Sequence, residues 1–233
     1  MSAALREQAY VIGARGALVG IVSEGPDRLA ASSRPAVVIL NAGIIHRVGP
    51  SRVHVLLARE LAAAGFTAVR FDFSGLGDSE ARTDGLGPIE AAGADIREAL
   101  DWLESTRGIG RVVLAGLCSG ANHALLYAGG DARVVGAILL DPATPKTRRY
   151  YWRHYGPRLF RPRAWYNLAR GHNALVRRLA GRLGGGRAAE DLRGEWQPKL
   201  ESPEVRAYLE GAYRRALDRE VQFLIAYTSG MEA

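Results

Sequence analysis

The run Val112-Val113-Leu114-Ala115-Gly116-Leu117-Cys118-Ser119-Gly120-Ala121 places a cysteine between two glycines, each two residues away, at the end of an apolar stretch. That pattern belongs to a tight strand-to-helix turn whose central residue is held in a strained conformation and presented as a nucleophile. Small residues two before and two after are required because backbone segments nearly touch there, and Gly116 and Gly120 meet the requirement around Cys118. Shifting the register so that Ser119 becomes central puts bulky Leu117 where a small residue is needed, so the chemistry is assigned to the thiol. Cys118 is the only cysteine, so no internal disulfide can form, and the thiol is either an inert buried group or a reactive one. The turn context favours the reactive reading.

Such a turn has to be carried by a sheet, and the elements around it alternate accordingly. Tyr10–Gly13 and Ala17–Val22 read as an opening hairpin, and Ala36–Leu40 as a fully buried strand. Pro50 opens a predicted helix with Val53, Leu56, Leu57 and Leu61 on its apolar face and Gly65 at its end, followed by the strand Thr67–Phe71. A helix from about Pro88 to Thr106, the strand Arg111–Leu117, a helix from Ser119 to about Gly129 and the strand Val134–Leu140 continue the series. Glu204–Leu217 is a predicted helix and Val221–Tyr227 the last strand. Alternation of this kind implies an α/β fold, a mostly parallel sheet with helices on both faces.

The length favours one domain carrying an insertion: core residues 1–145, a helical insertion at 146–200, and the core's last helix and strand at 201–233. Net charge is +7, but Lys146 to Arg187 holds twelve Lys or Arg and no Asp or Glu, which leaves the remainder mildly acidic. Arg148, Arg149, Trp152 and Arg153 open this segment with mixed cationic and aromatic side chains. As a lid, the segment would attract an anionic acyl carrier, a CoA thioester or an anionic membrane surface. As a solvated cap, it would pack its aromatics on the core. No nucleic-acid-binding motif accompanies the charge. No apolar run approaches the ~20 residues of a membrane span and no signal peptide opens the chain, so the expectation is a cytoplasmic protein.

Three pieces in order, the strand ending Asn41-Ala42-Gly43, the string Arg70-Phe71-Asp72-Phe73-Ser74-Gly75-Leu76-Gly77-Asp78-Ser79 and the turn at Cys118, resemble the α/β-hydrolase superfamily over residues 8–145. Gly116-Leu117-Cys118-Ser119-Gly120 with His46-Arg47-Val48-Gly49-Pro50 is similar to hydrolases encoded alongside bacterial exosortase systems. The resemblance implies that Cys118 attacks an acyl carbon and forms a covalent acyl-enzyme, helped by the N-terminus of the helix that starts at Ser119. It implies an oxyanion hole made by the backbone N–H of Ser119 and that of Gly43 or Ile44. It offers Asp141, at the end of a strand, and Glu232, after the last strand, as places for the acid. His46, in the loop after Asn41, either supplies a proton or is an ordinary loop histidine. His123 is expected to be structural and His54, in the first helix, a surface or packing residue, whereas His154 and His172 belong to the insertion and reach the site only if it folds over as a lid. Asp72 and Asp78 are expected to brace the Gly75–Gly77 turn. No metal or other cofactor is expected.

One departure stands out. The superfamily's catalytic histidine follows a further strand, and none is seen between Tyr227 and Ala233. Fragment, borrowed base and pseudoenzyme are the three explanations, and the last strand would then offer an edge for a second copy or a partner chain. The leading expectation is a hydrolase or acyltransferase acting on an ester or thioester, with the acyl group carried on CoA or an acyl carrier protein. The alternative is a non-catalytic protein that holds an acidic partner through the basic segment.

Overall fold

The structure is a computed structural model, and it describes residues 5–13, 15–26, 33–143 and 202–228. The strands are β1 (Arg6–Ile12), β2 (Leu18–Glu24), β3 (Ala36–Leu40), β4 (Ala68–Phe71), β5 (Val112–Leu117), β6 (Val134–Leu140) and β7 (Gln222–Ala226). The helices are α1 (Val53–Ala63), α2 (Pro88–Arg107), α3 (Ser119–Ala128) and α4 (Pro203–Asp218). The described strands form one seven-stranded sheet in the order β1-β2-β4-β3-β5-β6-β7. β1 and β2 pair antiparallel, β2 and β4 likewise, and every pairing from β4 to β7 is parallel. The described residues within 1–143 and 208–228 form one compact unit. The segment 146–200 assigned to a lid lies outside the described residues.

This strand order locates the site. β3 and β5 are neighbours, but β3 leads through α1 to β4 on one side, and β5 leads through α3 to β6 on the other. Right-handed crossovers in opposite directions put α1 on one face and α2 and α3 on the other, and α2 and α3 touch. The loops leaving β3 and β5 therefore part at the carboxyl ends of the strands and open a crevice, the switch point where such sheets bind ligands. Cys118 directly follows β5, and Asn41-Ala42-Gly43 follows β3.

The core explains why β3 reads as a continuous apolar run. All five of its residues are buried, with Val37 and Ile39 packed among Ala58 of α1, Ala68 of β4 and Ala115 of β5. Both faces of this strand are covered, so neither face carries a polar residue.

Two local expectations need correction. The helix does not begin at Pro50: Pro50–Arg52 is a 3-10 turn with Ser51 and Arg52 at positive φ, and the α-helix starts at Val53. Its buried face is His54, Val55, Ala58 and Ala62, while Val53 and Leu56 are exposed and Leu57 and Leu61 only half-buried. Ala58 and Ala62 face the sheet because a short side chain lets the helix approach closely, and that turns the larger residues to the flank. The opening hairpin is also longer than expected, since Arg6 to Ile12 pairs residue for residue with Glu24 to Leu18.

Candidate active site

The turn after β5 has the predicted geometry. Cys118 sits at φ 55, ψ −115, a strained conformation for a residue with a Cβ, and α3 starts at the next residue. Its backbone N–H extends the ladder to Leu140 O at 2.8 Å, its carbonyl accepts from Asn122 N–H at 3.2 Å, and its thiol is exposed. The two glycines serve different contacts. A Cβ on Gly116 would lie 2.2 Å from the carbonyl carbon of Gly120, so it permits β5 and α3 to meet. A Cβ on Gly120 would lie 2.5 Å from Asn41 O, so it permits α3 to sit against the end of β3. The turn at Cys118 and the loop after β3 are thereby held in contact.

That loop is braced from within. Asn41, buried, donates from Nδ2 to Ile45 O at 2.9 Å and to Asp72 Oδ1 at 3.2 Å, and its Oδ1 accepts from Phe73 N–H at 2.9 Å. Ile45 N–H closes a turn onto Ala42 O at 3.1 Å. The Asp72 carboxylate, fully buried at the end of β4, accepts from the Arg47 backbone N–H and the Arg47 guanidinium. Its Oδ2 also accepts from Asp78 N–H at 3.2 Å, while Arg47 reaches Asp78 Oδ2 at 2.6 Å. Burial works against the charge on Arg47, but the carboxylates of Asp78 and Asp72 outweigh it and raise its pKa. Asp72 braces the glycine turn by accepting from Asp78 N–H and by filling the space a Cβ on Gly77 would take, whereas the Asp78 carboxylate, expected to brace the same turn, meets Arg47 and not the turn backbone. The tie to Arg47 was missed because it joins residues 25 apart that the sheet, and no local pattern, brings together.

The candidate oxyanion donors are distributed unevenly. Gly43, at φ 58, donates its N–H to Ser119 Oγ at 2.6 Å. Ile44 is 89% exposed, and Ser119, the first residue of α3, is half-buried.

The structure brings no described histidine to the sulfur by a hydrogen bond. His46 is exposed in the loop after β3, and among the described residues only its backbone oxygen is hydrogen-bonded, by Gly49 N–H at 2.9 Å. His123 packs edge-on against Phe73, ring centroids 5.5 Å apart, with its pKa lowered by burial. His54 lies buried under Gly49 with both ring nitrogens unpartnered, and burial first, then the charge of Arg70, lowers its pKa. Asp141 stands at φ 47, with both carboxylate oxygens occupied: Thr228 N–H and Thr228 Oγ each donate to it at 2.6 Å. The carboxylate clamps the ends of β6 and β7 together. Asn122 Oδ1 accepts from Ala143 N–H at 2.9 Å and ties the chain beyond β6 to α3. Glu232, His154, His172, Arg148, Arg149, Trp152 and Arg153 lie outside the described residues. Among the described residues no group of three or more His, Cys, Asp or Glu is placed to hold a metal ion, and no helix is long and apolar enough to cross a membrane.

A sheet of this order, a strained residue at the end of β5 and a braced loop after β3 agree with a family model, described as the alpha/beta hydrolase family, that matches residues 27–231. The chain belongs to the alpha/beta hydrolase family. Solved structures of similar fold include DcsB in complex with its substrate analogue, 15% identical, covering 97% of this chain and 91% of that one at a TM-score of 0.51. A hypothetical protein from Pseudomonas aeruginosa is 17% identical over 98% of this chain and 87% of that one, TM-score 0.52. An esterase from Pyrococcus furiosus is 15% identical over 98% of this chain and 85% of that one, TM-score 0.52. No curated protein matches the sequence. At these identities the likeness is one of fold.

Proposed function

We propose that the protein is a hydrolase or acyltransferase that uses Cys118 to attack an ester or thioester. The observation that carries this reading is the backbone of Cys118, strained at φ 55, ψ −115 with its thiol exposed at the sheet's switch point. A core cysteine with no chemical task has no reason to occupy such a conformation. Sγ as thiolate bonds to the acyl carbon, and the carbonyl π electrons move to oxygen. Collapse breaks the bond to the leaving alkoxide or thiolate, which departs with its electron pair and takes up a proton. Water or an acceptor then releases the acyl group from sulfur. No described histidine is hydrogen-bonded to the sulfur, and cysteine suits such an arrangement because a few per cent of an ordinary thiol is already ionised at neutral pH. Thioesters on CoA or an acyl carrier protein are the preferred substrates, given twelve cations between Lys146 and Arg187.

Incubation with an activated thioester followed by intact mass spectrometry tests the reading. The expected result is one acyl adduct, absent in Cys118→Ala. Turnover unchanged in Cys118→Ala overturns it. A second reading, a non-catalytic module holding an acidic partner, is favoured by the lack of a histidine hydrogen-bonded to Cys118 among the described residues. Its signature is binding that weakens as salt rises, with no adduct formed.

A further inference from the structure

Resting on the acyl-transfer reading above, we propose that the side-chain hydroxyl of Ser119 is itself a donor to the oxyanion, held in place by Gly43. The backbone N–H of Gly43 has a single hydrogen, and it is directed at Ser119 Oγ at 2.6 Å. A hydroxyl has one proton and two acceptor lone pairs. Accepting from Gly43 fills one lone pair and leaves the proton free to donate, and no described residue accepts it. The same contact polarises the hydroxyl and strengthens it as a donor. Ser119 is adjacent to Cys118 and opens α3, where the first backbone N–H groups of a helix have no partner within it. One residue therefore presents two donors, N–H and Oγ–H, beside the sulfur, and Gly43 acts through the second of them.

The surroundings suit this task. A Cβ built on Gly43 would meet nothing within 4 Å, so the loop is uncrowded on the side of Gly43 that faces away from the hydroxyl. Beneath it the loop is fixed by Asn41 and by Arg47 on Asp72, so Ser119 Oγ is held by a positioned backbone group and not by a wandering one. When Sγ bonds to the acyl carbon, the oxygen that gains the electron pair accepts from both Ser119 donors. No proton is transferred, and the two hydrogen bonds weaken again as the carbonyl re-forms and the leaving group departs.

The test compares acylation of Cys118 by p-nitrophenyl acetate and by its thiono analogue in the wild type, Ser119→Ala and Ser119→Thr. Sulfur is a poor hydrogen-bond acceptor, so the preference for the oxygen ester reports on the donors and not on folding. Loss of one such donor typically lowers the chemical step by ~10²-fold or more. Ser119→Ala should lower kcat for the oxygen ester by roughly that factor with KM little changed, and should reduce the oxygen-over-thiono preference alongside. Ser119→Thr keeps the hydroxyl and should restore most of both. Equal losses on the two esters, or a Ser119→Ala rate within twofold of the wild type, overturn the proposal while leaving the nucleophile assignment intact. A wild type that acquires no acyl group on Cys118 overturns both.

Discussion

Arg47 and Asp72 meet twice, once through the Arg47 backbone N–H and once through its guanidinium, and by that double contact the loop after β3 is anchored to the end of β4. Asp72 is fully buried, and the carboxylate has no water to fall back on. Breaking such a pair from one side leaves a charge without its partner and costs about 3–5 kcal/mol.

Arg47→Ala is therefore expected to lower unfolding free energy by about 3 kcal/mol in urea titrations, with Asp72→Asn close behind. The double variant should be less harmful than the sum of the two, since each single change strands the other partner.

Gly116→Ala and Gly120→Ala should both disable the protein, by different routes. The first forces β5 and α3 apart at a 2.2 Å clash, and the second pushes α3 off Asn41 O at 2.5 Å. Each should cost more than about 2 kcal/mol in denaturant, because backbone cannot move aside as a side chain can. Gly120→Ala should in addition slow acylation of whatever folded protein remains.

His54 makes stability depend on pH. Its folded pKa is below the unfolded value because burial and Arg70 oppose the charged ring. The unfolded chain then binds the proton more readily, so the contribution is fully present above the unfolded value of about 6.5 and is lost as pH falls below it. Unfolding measured between pH 7 and 5 should lose up to about 1.4 kcal/mol per pH unit from this group. His54→Leu should flatten that slope, and the part that survives is expected from His123, which burial shifts the same way.

Thr228→Val removes the hydroxyl that donates to Asp141 at 2.6 Å and leaves the backbone contact in place. Bonds to a charged acceptor contribute about 1.5–3 kcal/mol when well made, and this one is exposed, so a loss near 1 kcal/mol is expected. Hydrogen exchange should quicken at the β6 and β7 ends and stay unchanged in β3.

How much of this could be read from residues alone varies with the range of the contact involved. β3, β6 and the Cys118 turn were legible because a buried apolar run and two flanking glycines state their demands locally. The facing of α1 was not. Leu56 is the larger apolar residue, yet Ala58 faces the sheet, since the spacing between helix and sheet is decided by strands elsewhere in the chain. His54 read equally as a surface or a packing residue; the chain turns back over it at Gly49, Ser51 and Arg52, all at positive φ, and Gly49 lies against its ring. Arg47 stood in a motif, but its carboxylate partner is brought near only when β4 inserts between β2 and β3. Asp141 read equally as an acid and as a turn, and Thr228 binding both its oxygens is a contact between residues 87 apart.

Cys118 is held at a backbone geometry that glycine alone would adopt without penalty. A chain selected only for folding would have placed glycine there. Cys118→Gly should therefore melt higher than the wild type while losing all acylation, and the gap in melting temperature measures how much stability this molecule surrenders to keep a sulfur atom at that point.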